Sequence, residues 1–190
     1  MLEFQKGNKA SFEALMRKHY RGIFNFIYRF LGNKASAEDL TQEVFIRVYR
    51  HGHTYRPDAK FQTWLYTIAK NLSLNELRRS KRKIFSLNAM MTTKDGEVPI
   101  QLEDPTVQGP DKIAEKKEQA HLVQQAILDL PDSQRMAVIL RRYQGLPYEE
   151  IAKTMDCSVQ AVKSLLNRAK ENLKLRLLPL LKADDLESLM

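Results

Sequence analysis

Two short runs of side chains carry most of the polar chemistry in this chain. In the first, Asn71, Asn75, Arg78 and Arg82 recur at steps of four, three and four, which on a helix lines them along one face. Amides and guanidinium groups in such a row can pair with base edges and neutralise phosphates. A solvated helix end, whose cations suit the C-terminal dipole, has the same spacing, and spacing alone favours neither reading. In the second run, Gln160, Lys163, Ser164 and Asn167 share one side of a segment, with Arg168 beside them. Gln can pair with adenine, and Arg or Lys with guanine, in a major groove. Other pairs offer less. Glu149 and Glu150 stand at a helix start, where acids serve the dipole. His51 and His53 have no further ligands clustered near them, so a surface loop is expected there and no metal. The single cysteine, Cys157, excludes a disulfide framework and a multi-cysteine zinc site, and reads as a small buried side chain.

The elements that must position these runs follow from pattern. Apolar residues Phe12, Leu15, Met16, Tyr20, Ile23, Phe24, Ile27, Phe30 and Leu31 predict a first helix, with Asn8 as its cap, Gly32 as its stop and a bend allowed at Gly22. Ser36-Ala37-Glu38-Asp39 reads as the capping box of a second, striped by Leu40, Val44 and Val48. A third follows Pro57 and turns Phe61, Trp64, Leu65, Ile68 and Leu72 inward. Together they make a small bundle of roughly 75 residues, near the lower comfortable size for a core. Further on, Ile113 to Leu128 and Ser133 to Tyr143 read as helices separated by Leu130-Pro131-Asp132. A short helix follows Pro147, then the turn Asp156-Cys157-Ser158. A long helix capped by Ser158 then buries Val159, Val162, Leu166, Ala169 and Leu173. Short helix, tight turn and polar-faced helix form a helix-turn-helix pattern.

Charge favours a nucleic-acid partner. The 190 residues hold 31 Lys and Arg against 23 Asp and Glu, a net +8, and 43% are hydrophobic, a share that fits a globular protein. Five basic residues oppose only Glu76 across 76–83, and six oppose two acids across 153–176. Between them, 84–111 reverses to a net −4 and holds Pro99, Pro105, Pro110, Gly96 and Gly109, which reads as an acidic, flexible linker. No apolar run approaches the ~18 residues of a membrane span, and Pro179 breaks the longest candidate, Leu177 to Leu181. No signal-peptide pattern opens the sequence. A soluble cytoplasmic protein without direct membrane insertion is expected.

The combined motifs resemble the extracytoplasmic-function (ECF) sigma factors of the sigma-70 family. Ala37-Glu38-Asp39-Leu40-Thr41-Gln42-Glu43-Val44-Phe45 is similar to that family's polymerase-docking signature in region two. Phe61-Gln62-Thr63-Trp64-Leu65-Tyr66-Thr67-Ile68-Ala69-Lys70-Asn71 is similar to its promoter-melting helix. Leu130-Pro131, Arg135 and Gly145-Leu146-Pro147-Tyr148-Glu149-Glu150-Ile151-Ala152 look like region four.

The resemblance implies an all-α protein of two small helical domains. Residues 8–83 would be region two, 84–111 the linker and 112–182 the helix-turn-helix of region four. Asp39, Leu40, Gln42, Glu43 and Ile46 would dock on core RNA polymerase. Lys60, Asn71, Asn75, Arg78, Arg79 and Arg82 would hold the minus-ten element of promoter DNA, with loop residues from His53 to Lys60 completing a pocket for a flipped base. Gln160, Lys163, Ser164, Asn167 and Arg168 would read the minus-thirty-five element as duplex. No catalysis, cofactor or small-molecule substrate is implied, and an anti-sigma factor responding to stress or to the envelope is an expected regulator. Asn75 stands where the family often has Asp, Gln160 where Gly is frequent and Leu165 where Arg is common, so the promoter sequence is not borrowed from relatives. A stand-alone helix-turn-helix regulator and a basic interaction module without a DNA target are the competing readings. Binding to core polymerase separates the sigma factor from both of these, and specific duplex binding separates the regulator from the module.

Overall fold

The computed structural model describes residues 1–58, 60–88 and 110–179, and every regular element among them is helical. In chain order these are α1 (Leu2–Gln5), α2 (Lys9–Leu31), α3 (Lys34–His51), a 3-10 turn (Gly52–Thr54), α4 (Phe61–Asn88), α5 (Pro110–Leu128), α6 (Asp132–Val138), a π-helical turn (Ile139–Tyr143), α7 (Tyr148–Met155) and α8 (Val159–Leu177). Helices enter the expected linker from both ends, and 89–109 lie outside the described residues.

Local signals explain most boundaries. Asn8 caps α2 by accepting from the Ser11 N–H, and Gly32 ends it at φ 76, a left-handed conformation that glycine adopts without a Cβ clash. The start of α3 differs from the capping-box expectation. Asn33, in extended conformation, accepts from the Ser36 N–H at 2.7 Å, so the helix begins at Lys34 and Ser36 lies inside it. Asp156 closes α7 at φ 55, and the Ser158 side chain accepts from the Ala161 N–H at 3.1 Å to open α8. The α1 helix was not expected, because four residues are too few to display a stripe.

Helices α2, α3 and α4 pack around Ile23, Phe26, Ile27, Phe30, Val44, Phe45, Val48, Leu65 and Leu72. Phe61, Trp64 and Ile68 sit at the rim of this core, partly buried against it. The second unit is built on Ile127, Met136, Ile139, Leu140, Ile151 and Val162, and belongs to the same continuous cluster. Two separate bundles would each have covered their own core. Here α4 is covered on two faces, which is why Thr63, Tyr66 and Ala69 are buried beyond the predicted stripe.

Polar contacts stitch the two units together. The Thr63 hydroxyl donates to the carboxylate of Glu150 on α7, and the Tyr66 hydroxyl donates to Gln144 Oε1. Glu150 is therefore a buried acceptor, a role its place at a helix start did not foretell. Arg135 donates to the Phe30 carbonyl at 2.8 Å and to the Leu130 carbonyl at 3.1 Å. The Arg29 guanidinium lies 3.8 Å from the centroid of the Tyr143 ring, and Lys81 pairs with Asp132 at 3.0 Å. Helix α2 runs unbroken through Gly22. A Cβ there would lie 3.2 Å from Tyr66 Oη and 3.7 Å from Gln144 Oε1, so the glycine leaves room for their hydrogen bond.

Candidate functional site

Three exposed faces carry the residues singled out by their chemistry. On α3, Asp39, Gln42 and Ile46 are exposed, and Glu43 is half-buried with its carboxylate held by Arg47 at 2.7 Å. Leu40 is half-buried at the edge of a groove of about 370 Å³ between α3 and α4, lined by Ser36, Asp39, Leu40, Glu76, Arg79 and Ser80. Sequence reasoning missed an apolar continuation of this face. Ile46 is 43% exposed and Tyr49 49%, one helical step of three apart, so the face is acidic at one end and greasy at the other.

The second face runs along α4. Asn71, Asn75, Arg78 and Arg82 are all exposed, as their spacing predicts. Arg79 is exposed too, four residues after Asn75 and three before Arg82, and it also lines the groove with Asp39 and Glu76 at the edge of the ladder. Lys60 is exposed just ahead of the helix. Beside it, the Tyr55 ring is buried against Phe61 and Trp64, with centroids 5.8 and 5.4 Å away. His53, Thr54 and Arg56 stay exposed on the same loop. Asn71 lies seven residues beyond Trp64, two turns along the same face. His51 and His53 face each other with ring centroids 6.4 Å apart. Among the described residues, no group of three or more His, Cys, Asp or Glu side chains is placed to hold a metal.

The third face is the outer side of α8. Gln160, Lys163, Asn167 and Arg168 are exposed and Ser164 half-buried, while Val162 and Ala169 are buried and fix the rotation of the helix. The α7–α8 turn supports its N-terminus. Burial pushes the Cys157 thiol above its ordinary pKa and the neighbouring Asp156 adds to this, with Lys70 of α4 pulling the other way. Cys157 is thus a protonated thiol at neutral pH, half-buried where the two units meet. No membrane-spanning helix accompanies these faces among the described residues.

Comparison with known proteins assigns both units. Residues 15–83 match sigma-70 region 2, and residues 120–173 match sigma-70 region 4. The chain is 36% identical over 181 residues to the RNA polymerase sigma-H factor of Pseudomonas aeruginosa, covering 94% of this chain and 92% of that one. It is 32% identical over 179 residues to the ECF RNA polymerase sigma-E factor of Escherichia coli, with the same coverage. The fold is similar to that of the sigma factor RpoE of Bartonella quintana, solved with the anti-sigma factor NepR. That match has a TM-score of 0.68 at 21% identity, over 88% of this chain and 96% of that one. CnrH, solved with the cytosolic domain of CnrY, gives a TM-score of 0.64 at 20% identity, over 91% of each chain.

Proposed function

The chain belongs to the ECF group of the sigma-70 family and is a transcription initiation factor of RNA polymerase rather than an enzyme, and we propose a division of labour among its three exposed faces. The α3 face, with Asp39, Gln42, Glu43, Ile46 and Leu40, docks on core polymerase. The α4 face captures the minus-ten element in opened form: Asn71 holds a base, Asn75 lies beside it, and Lys60, Arg78, Arg79 and Arg82 follow the backbone, with Arg79 at the edge of the groove beside Asp39. The α8 face reads the minus-thirty-five element through Gln160, Lys163, Ser164, Asn167 and Arg168. Residues 8–83 and 112–182 are the two working domains, in the cytoplasm, under an anti-sigma factor that answers stress or an envelope signal.

The observation that carries this reading is the exposure of the α4 ladder and the α8 row on the two units that match regions 2 and 4. Opened DNA needs an extruded base held in a pocket and a basic track for its backbone; the exposed cations of α4 suit the track, and in this reading Asn71 and the loop ahead of α4 make the pocket. Duplex DNA needs a helix whose N-terminal turns enter the major groove, which α8 offers behind its Ser158 cap.

The packed arrangement has a consequence for this function. The two elements are named for positions 25 base pairs apart, which is about 85 Å of duplex at 3.4 Å per pair. Units of this size are roughly 30 Å across and here share a core, so both elements are bound only once the units separate. The 21 residues from 89 to 109 reach at most about 75 Å when extended, which together with the roughly 30 Å breadth of each unit covers that distance.

Transcription in vitro with core polymerase and genomic fragments tests the function, and starts confined to particular promoters are the expected result. Reversing charge at Asp39 or at Glu43 should weaken core binding while leaving helix content intact. Unchanged affinity for core polymerase in both variants would remove α3 from the docking face.

A further inference from the structure

Helix α1 lies outside both family matches, yet it is fastened to the loop that leads into α4. The Gln5 side-chain nitrogen donates to the Gly52 carbonyl and to the Tyr55 carbonyl, both at 2.8 Å. A carboxamide nitrogen has two hydrogens, so both are committed to this one turn. The Tyr55 N–H closes the same turn onto the Gly52 carbonyl at 3.2 Å. Met1 and Phe4 lie flush on it: a Cβ at Gly52 would meet Met1 Cε at 2.6 Å and Phe4 Cε1 at 2.7 Å. Phe4 in turn packs on Phe12 of α2 and Tyr49 of α3, with ring centroids 5.3 and 5.4 Å away. The contacts therefore run from the α2–α3 body through Phe4 and Gln5 to the turn, and through Tyr55 to Phe61 and Trp64 of α4.

We propose that Gln5 is a positioning residue for minus-ten recognition, holding the loop 52–58 against α4 so that the pocket beside Asn71 keeps one shape. This rests on the reading of Asn71 and the loop as the base-capture site. Beyond the 3-10 turn, the loop holds a turn at residues 57 and 58 and the Thr54 bond to the His51 carbonyl, and its exposed His53, Thr54 and Arg56 follow its backbone. A pocket ordered in advance does not spend binding energy on ordering, and it rejects a wrong base by clash or by an unpaired polar group. A loose pocket adapts and discriminates less. Gln5 touches no DNA in this scheme; it acts through the backbone of residues 52 and 55.

The test uses full-length protein reconstituted with core polymerase and a template library randomised over both promoter elements, with productive templates sequenced. Gln5→Met keeps the length of the side chain and removes the donor. Gly52→Ala displaces α1 by a different route, and its φ of −57 accommodates alanine without backbone strain. Losing two hydrogen bonds should reduce the ordered loop at least about fivefold, and about thirtyfold if both are of ordinary strength. Both variants should therefore flatten base preference at a minus-ten position by about threefold or more, with preference at minus-thirty-five unchanged. Amide exchange in the free protein should quicken in 52–58 and stay as in the parent along α4. Unaltered minus-ten preference in Gln5→Met, or equal loss of preference at both elements, would overturn the proposal. Asn71→Ala separates the two levels. If it leaves minus-ten preference intact, the reading of the pocket falls and the proposal with it. If it flattens preference while Gln5→Met does not, the proposal alone falls.

Discussion

Arg135 places a positive charge where α2 runs out of donors. The last four carbonyls of a helix lack intrahelical partners and carry the negative end of its dipole, and Phe30 is one of them. The Arg135 guanidinium bonds that carbonyl from another element, stands 5.3 Å over the Phe30 ring, and has Asp132 at 3.7 Å. Burial lowers the pKa of Arg135 while Asp132 and Asp129 raise it, and an arginine remains charged under either influence. Arg135→Met should destabilise the protein by about 2–4 kcal/mol, since it strips two buried carbonyls of their donor. Arg135→Lys should recover part of this, and urea midpoints measure both. His19 offers a pH-dependent counterpart. Its ring packs near Phe61 at 5.5 Å, and burial, then the neighbouring Lys18 charge, lowers its pKa below the ordinary 6.5. The folded state thus favours neutral His19, and the unfolded chain binds the proton first. Stability should fall as pH drops below 6.5 through the lower folded pKa, the penalty being complete beneath both values. His19→Gln should make the urea midpoint less sensitive between about pH 7.5 and pH 5.5. An equal decline in parent and variant would show that His19 contributes nothing to it.

At the scale of elements, α8 allows the sharpest separation of roles. Arg168 is exposed beside Gln160, Lys163 and Asn167, whereas Lys174 is exposed more than a turn further on, nearer the C-terminal end. Arg168→Ala should cost about 1–3 kcal/mol on the preferred minus-thirty-five duplex and relax preference at one position. Lys174→Ala should weaken all sequences alike and make the salt dependence shallower. Duplex binding by the full chain to single-base variants across salt concentrations distinguishes them, and a uniform loss in Arg168→Ala would make it a phosphate clamp. The α8 row was legible in the sequence because Val162 and Ala169 are buried at helical spacing and force the polar residues outward. The α4 ladder was legible for the same reason, while the groove that Arg79 shares with Asp39 was not, because only the position of α3 reveals it. Glu150, Thr63 and Tyr66 were illegible in a stronger sense. Their partners lie 87 and 78 residues away, and a carboxylate at a helix start looks identical whether it meets water or a buried hydroxyl. Helix α1 escaped because Gln5 works through its side-chain amide onto backbone, which leaves no periodic trace.

For the whole molecule, the decisive feature is that one core serves two units which the proposed division of labour requires to part. The interface is not greasy alone. It contains the Thr63–Glu150 and Tyr66–Gln144 bonds and the Arg135 bond to Phe30, with the more exposed Lys81–Asp132 pair beside them. Such groups find water or new partners when the units separate, so opening returns less apolar surface to water than splitting a purely apolar core would. Glu150 is the group to use as a lock, being 8% exposed and in contact with Thr63. In a Cys157→Ser background, Thr63→Cys and Glu150→Cys would place two thiols on facing helices, and a short bis-maleimide would then tie α4 to α7. Neither position belongs to the docking face, the α4 ladder or the α8 row, so the tied chain keeps all three exposed. It should still bind core polymerase through α3 but fail to initiate on a promoter that needs both elements, because about 85 Å of duplex lies between them. The same double variant left untied should initiate, which separates the effect of the tether from that of the substitutions. Initiation at an equal rate by tied and untied protein would mean that the units read DNA while packed, and that the shared core is the working state.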